Sequence, residues 1–151
     1  MPAAIVAAAL TTTGIASAHS RRRDGRPATV FPARRVTIGG VSGCWPVAVT
    51  VRQREQGLMG VARPVRPVVF SFRPAGLYAF WMQNTPARLI GAWIGEASTV
   101  IGFWNGVPES LALHFPPQPV SAVIEYPAGW TVPRRGAKLT LGGPCRSDGR
   151  L

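Results

Sequence analysis

Apolar and polar residues alternate with a period of two along most of the chain. Val47, Val49 and Val51 are separated by Ala48, Thr50 and Arg52, the pattern of a strand with one buried face. Comparable runs predict strands over 35–38, 68–72, 77–82, 89–94, 99–104, 120–126 and 138–141. Gly95-Glu96-Ala97-Ser98 reads as a four-residue hairpin loop, and Pro116-Pro117-Gln118-Pro119 as a rigid surface loop. No window holds a helical period. Segments 53–59 and 128–135 each predict a single helical turn, the second cut by Pro133. About eight short strands and no internal repeat predict an all-β fold, a compact β-sandwich or jelly-roll-like barrel with one or two short helical turns.

Composition agrees with that pattern. The 151 residues are 46% hydrophobic and include 17 Gly, 15 Pro and 5 Trp, a balance that favours strands and turns over helices. The predicted order is a signal-like leader over 1–18, a disordered Arg/Pro-rich linker over 19–35, one β domain over 36–145 and a tail over 146–151. The leader rests on the apolar run 3–10 and the small-residue pattern Ala16-Ser17-Ala18. Against it, no basic residue precedes the run, and Arg21-Arg22-Arg23 follows it. We read the chain as exported, secreted or held in the cell envelope without a transmembrane span; a cytoplasmic location is the alternative. Export would allow Cys44 and Cys145 to form one disulfide across the folded region.

The net charge of +11 comes from 17 basic against 6 acidic side chains, which raises anionic partners as a class. Within the domain the Arg residues are scattered and do not interleave with aromatics, so nucleic acid is not the expected partner.

Two runs stand apart from core-building sequence: Arg54-Glu55-Gln56-Gly57-Leu58-Met59 and Phe80-Trp81-Met82-Gln83-Asn84-Thr85. Together with Phe70-Ser71-Phe72, Val107-Pro108, Val123-Ile124-Glu125 and Ala128-Gly129-Trp130, in that order over roughly 95 residues, they resemble the prokaryotic family called domain of unknown function 192 (uncharacterised conserved ACR). The resemblance implies a compact jelly-roll β-sandwich, often exported, of undetermined function. The chain departs from the family pattern at several places. Ile90 stands where an Asp is usual, and Gly95 where another is, with Glu96 beside it. Arg135-Gly136-Ala137-Lys138 replaces a Gly-Asp, and Gln83 replaces a lysine. If relatives use those carboxylates in binding or catalysis, this chain has lost or changed that use.

His19 in the leader and His114 near the proline loop are the only histidines, which argues against a His-based acid–base pair or metal site, and no cofactor is expected. No nucleophile elbow and no phosphate-cradling loop occurs. Of the domain carboxylates, Glu96 and Glu109 fall in turns, where solvation is the simple reading. Glu55 and Glu125 fall in the motif runs, but nothing in the sequence brings them together, and an ion pair of Glu125 with an Arg such as Arg54 is expected. Trp45, Trp81, Trp93, Trp104 and Trp130 are either core residues or stacking platforms. Asn84-Thr85-Pro86 is either a capped turn or, with Gln83, a reader of hydroxyls or peptide backbone. The candidate ligand-binding set is Arg54, Glu55, Trp81, Gln83, Asn84 and Glu125, with no catalytic residue. The expected function is a monomeric, non-catalytic binding module for an envelope saccharide or extended peptide. A protein-interaction domain of the envelope and a small carboxylate-dependent hydrolase are the alternatives.

Overall fold

Seven strands join in one mixed sheet: β2 (Ala33–Ile38), β3 (Val41–Ala48), β4 (Val68–Gly76), β6 (Leu89–Gly95), β7 (Val100–Gly106), β8 (Val120–Pro127) and β9 (Leu139–Pro144). Their order across the sheet is β7-β6-β8-β4-β3-β2-β9. The structure, a computed structural model, describes residues 30–146 and 151, and the backbone of 4–5. Apart from residues 4–5, the expected leader lies outside the described residues, as does most of the expected linker. A two-residue β1 (Ala4–Ile5) pairs in parallel with β5 (Tyr78–Ala79), and α1 (Val51–Gln56) is the one helix among the described residues. The all-β expectation with a short helix therefore holds.

Within the seven-stranded sheet, neighbouring strands are antiparallel except β3 and β4. A parallel pair needs a crossover, and residues 49–67, which carry α1, supply it. The sheet curls until its ends approach each other. Leu139 N donates to Ser98 O at 2.7 Å and Val100 N to Ala137 O at 3.0 Å, around the single bridge Thr99–Lys138. No continuous ladder joins β9 to β7, so the barrel is not closed.

Curling gives the sheet a core on each face. The inner one gathers Val36, Ile38, Trp45, Val47, Val69, Ala92, Ile94, Ile124 and Tyr126. The outer one holds Phe70, Phe72, Trp93, Trp104 and Val123 beneath Leu58, Phe80 and Met82 of the connecting segments. Fully burying each large side chain contributes roughly 1.5–3 kcal/mol. Trp45, Trp93 and Trp104 are thus core, whereas Trp130 is exposed and Trp81 half-buried.

Local chemistry moved some expected boundaries. The strand expected through Val51 stops at Ala48 because Thr50 caps α1. Gln53 N donates to Thr50 Oγ1 at 3.1 Å, and Thr50 N to Gln53 Oε1 at 3.0 Å, a reciprocal capping box. The strand expected over 77–82 shrinks to β5 and one bridge, Phe80–His114, because the next residues turn across the outer core. The helical turn expected over 128–135 is absent: Gly129 has φ 89° and the segment runs as turns into Pro133. Strand β2 begins at Ala33, within the stretch expected as linker, and Pro32 O accepts from Val47 N at 2.9 Å.

Trp104, Gly91, Glu125 and Val68 form one row across β7, β6, β8 and β4. A Cβ on Gly91 would overlap the Trp104 indole, which lies over the gap that glycine leaves. Gly91→Ala is therefore expected to destabilise the fold by about 1–3 kcal/mol, the usual penalty of overpacking; an unchanged denaturant midpoint would contradict this packing. Cys44 and Cys145 are disulfide-bonded with a Cα–Cα distance of 6.0 Å across a separation of 101 residues, which ties edge strand β9 to β3. Replacing both by Ser should cost about 2–4 kcal/mol, with hydrogen-exchange protection lost first in β9.

Candidate functional site

Both distinctive runs border one cleft. The end of α1 and the turn after it supply Arg54, Glu55, Gln56, Gly57, Leu58 and Met59; the segment after β5 supplies Phe80, Trp81, Gln83 and Thr85; the sheet supplies Phe70 and Glu125. The cleft is shallow and open to solvent at its mouth. Gly57 ends the helix at φ 44°, and its N–H donates to Gln53 O at 2.9 Å. A Cβ at Gly57 would press on the Phe70 ring at 3.3 Å, so the chain turns here close against the sheet. Gly60 N then donates to Asn84 O at 2.8 Å, which fastens the first wall to the second.

Glu125 is the electrostatic anomaly of this cleft. Its strand is hydrogen-bonded on both edges, to β4 and β6, and Glu125 sits between Val68 and Gly91 with 5% of its surface exposed. Burial pushes its carboxyl up to about 8, because charging a group away from water is costly. The expected ion pair with Arg54 is not formed. Arg54 Nη1 instead donates to Val49 O at 2.7 Å and Ser71 O at 3.0 Å, and the guanidinium stands 5.2 Å from the Phe72 ring centroid. Arg54 thus clamps α1 to β4 and leaves Glu125 protonated near neutral pH, able to donate a hydrogen bond.

Five of the six expected site residues, Arg54, Glu55, Trp81, Gln83 and Glu125, line this cleft. Glu55 and Glu125, which no sequence feature linked, share it. Asn84 does not line it. It is exposed at φ 55° in the left-handed region that Asn tolerates, and its carbonyl holds Gly60, so here the turn reading applies. Thr85 and Gln56 also line the cleft, though neither belongs to the expected ligand-binding set. Thr85 is 5% exposed with its hydroxyl donating to Gln83 O at 3.3 Å, and Gln56 Nε2 donates to Met59 O at 3.2 Å. Both lie inside the two runs, so their position was the available signal.

The remaining candidates fall elsewhere. Glu96 and Glu109 are exposed in turns. His114 stacks on Trp104 at 4.6 Å, and burial lowers its pKa, so it is neutral there. Ile90, which replaces the family's Asp, lies on the sheet face opposite Glu125, one residue before Gly91. Among the described residues no group of three His, Cys, Asp or Glu side chains could hold a metal, and no helix is long and apolar enough to cross a membrane.

The Glu125 carboxyl ties stability to pH. In the unfolded chain it ionises near 4.5, in the folded chain near 8, so between those values the folded state binds the extra proton. Stability should therefore fall as pH rises through about 4.5 to about 8 and level off above. Glu125→Gln should flatten that part of the profile and raise the melting temperature at its alkaline end. An unaltered profile would mean that Glu125 is not the titrating group.

The profile of the uncharacterized ACR family, domain of unknown function 192, matches residues 35–138. None of the curated proteins matches the chain. A crystal structure from Sinorhizobium meliloti, of a protein proposed to be a transcription regulator, is 28% identical with a TM-score of 0.69; the match covers 76% of this chain and 98% of that one. A protein of unknown function from Novosphingobium aromaticivorans is 22% identical, also at TM-score 0.69, over 85% of this chain and 99% of its own, a likeness of fold. With most of its β domain matched by that profile, the chain belongs to the uncharacterized ACR family.

Proposed function

We propose that this protein is a binding module whose cleft takes a neutral polyhydroxyl group, the terminal ring of a saccharide, and that it works outside the cytoplasm. The observation that carries this reading is Glu125, an uncompensated and nearly buried carboxyl in a cleft also lined by Gln83, Glu55 and Trp81. A protonated carboxyl donates, a carboxylate accepts and an amide does both, which suits the vicinal hydroxyls of a sugar. Trp81, half-buried at the rim, offers an apolar face. The Cys44–Cys145 bridge supports an oxidising compartment and hence the cell envelope.

A second reading rests on Glu55 and Glu125 sharing the cleft. One buried protonated carboxyl beside a more exposed one is the arrangement glycosidases use for acid catalysis, so a hydrolase acting on the same ligand class is the alternative. The regulator description of the relative would call for a phosphate-binding surface, and two carboxyl groups make this cleft unsuited to it.

The test is a titration of the full chain with neutral mono- and disaccharides, followed by backbone and side-chain amide NMR. Shifts are expected at Trp81 and Gln83, and Gln83→Ala should weaken binding about tenfold, the worth of one or two hydrogen bonds, without lowering the melting temperature. Glycosidic bond cleavage on long incubation, lost in Glu125→Gln, would favour the hydrolase. Absence of saccharide binding, or binding indifferent to Gln83→Ala, would overturn the proposal.

A further inference from the structure

One stretch of the surface is apolar where the core does not require it. Residues 110–124 contain no Asp, Glu, Lys or Arg. Within them the arm 111–115 displays Leu111 at 65% and Phe115 at 56% exposure, with Leu113 exposed between them. A single antiparallel bridge sets this display. His114 N donates to Phe80 O at 2.7 Å and Phe80 N to His114 O at 2.9 Å, while the His114 ring stacks on Trp104. In an extended chain the neighbours of an inward residue point outward, so Leu113 and Phe115 face solvent. The bridge also brings Leu77, exposed and three residues before Phe80, beside Pro117, three residues after His114. At the other end, the turn closed by Ser110 N on Val107 O leads into the arm and leaves Val107 exposed. An exposed arginine stands at each end. Arg88 lies one place beyond the Leu89–Gly106 pair, across from Val107. Arg73 opens the turn that the Tyr78 hydroxyl closes by donating to Pro74 O, four residues before Leu77.

We propose that the arm 111–115 docks on the surface of an anionic lipid bilayer, with Leu111, Leu113 and Phe115 at the boundary of headgroups and acyl chains and Arg73 and Arg88 on lipid phosphates. Charge selects this partner. Residues 36–151 carry eleven basic against five acidic side chains, so an anionic surface attracts the domain as a whole. Glu109, in the turn at the base of the arm, is the one carboxylate there. The apolar row supplies what charge alone does not, since a peripheral protein is held by buried apolar area and electrostatic attraction together. The backbone sets the depth. Among the described residues, neither Leu113 nor Phe115 has a backbone partner, so their N–H and C=O groups need water. The arm therefore lies in the headgroup layer and not in hydrocarbon. It is separate from the saccharide cleft. Residues 80–85 run between the two, fastened to one side by Gly60 N on Asn84 O and to the other by Met82 N on Ser110 O, and no residue of the arm lines the cleft.

The test is sedimentation of the full chain with vesicles of phosphatidylcholine alone and of phosphatidylcholine mixed with phosphatidylglycerol. Binding to the mixed vesicles and little to the neutral ones is expected. Leu111→Ser, Leu113→Ser and Phe115→Ser combined should weaken it at least about tenfold. Arg73→Gln and Arg88→Gln should weaken it about fivefold each. Melting temperatures should not change, because all five side chains are exposed. In bicelles of the mixed lipids, the Leu113 and Phe115 amide signals should lose their broadening by a soluble gadolinium chelate. The proposal is overturned if the chain ignores the mixed vesicles at low salt. It is overturned if the triple variant binds them as the parent does, which would assign the attraction to the Arg-rich segment before the domain. It is overturned too if the triple variant abolishes a concentration-dependent dimer while vesicle binding persists, since the arm would then be a contact between protein chains. Saccharide shifts at Trp81 and Gln83 should be the same in the triple variant, so failure here leaves the cleft reading standing.

Discussion

A central strand bonded on both edges leaves its side chains nowhere to go but into the two faces of the sheet. In β8 both faces are covered, because the curl of the sheet encloses one and the segments around α1 and Phe80 cover the other. An ionisable residue in such a strand must be paired, neutral or functional. Glu125 is unpaired, so it is neutral over much of the accessible pH range. The rest of the outer face is arranged around that fact. Gly91 beside it has no side chain, Trp104 fills the gap so left, and the cleft opens where the covering segments part over the carboxyl.

Among the described residues, the contacts that hold the covering layer run to backbone carbonyls. Arg54 gives its guanidinium to Val49 O and Ser71 O; Asn84 gives its carbonyl to Gly60; Met82 N reaches Ser110 O at 3.1 Å, and Glu109 N reaches Thr85 O at the same distance. Such contacts do not depend on the ionisation of the cleft. The walls can therefore keep their geometry while Glu125 gains or loses its proton.

The same alternation puts Tyr126 on the opposite face of β8, directly behind Glu125. There it meets Trp45 edge to face, and Trp45 meets Trp130; Trp45 and Tyr126 are almost fully buried, and only Trp130 reaches the surface. Each face of β8 therefore carries a polar group left without a partner, the Glu125 carboxyl on one and the Tyr126 hydroxyl on the other.

Sequence alone carried the strand period, the turn residues and the family motifs, since these are local properties of neighbouring side chains. The all-β class, the strands in place of β2, β4, β6, β7 and β8, and five of the twelve residues that line the cleft were legible from it. It misread Val51 as strand, although Thr50 and Gln53 carry a capping box, because valine alternation looked stronger than a single cap. It read 128–135 as helical, where glycine at positive φ and proline prevent a turn of helix. What only the tertiary structure decided was which residues far apart in sequence meet. Glu55 and Glu125 share a cleft, and Arg54 turns to carbonyls instead of to Glu125. Those outcomes depend on strand order and on the curl of the sheet, which follow from how all the buried surfaces fit at once and leave no trace in any short run of residues.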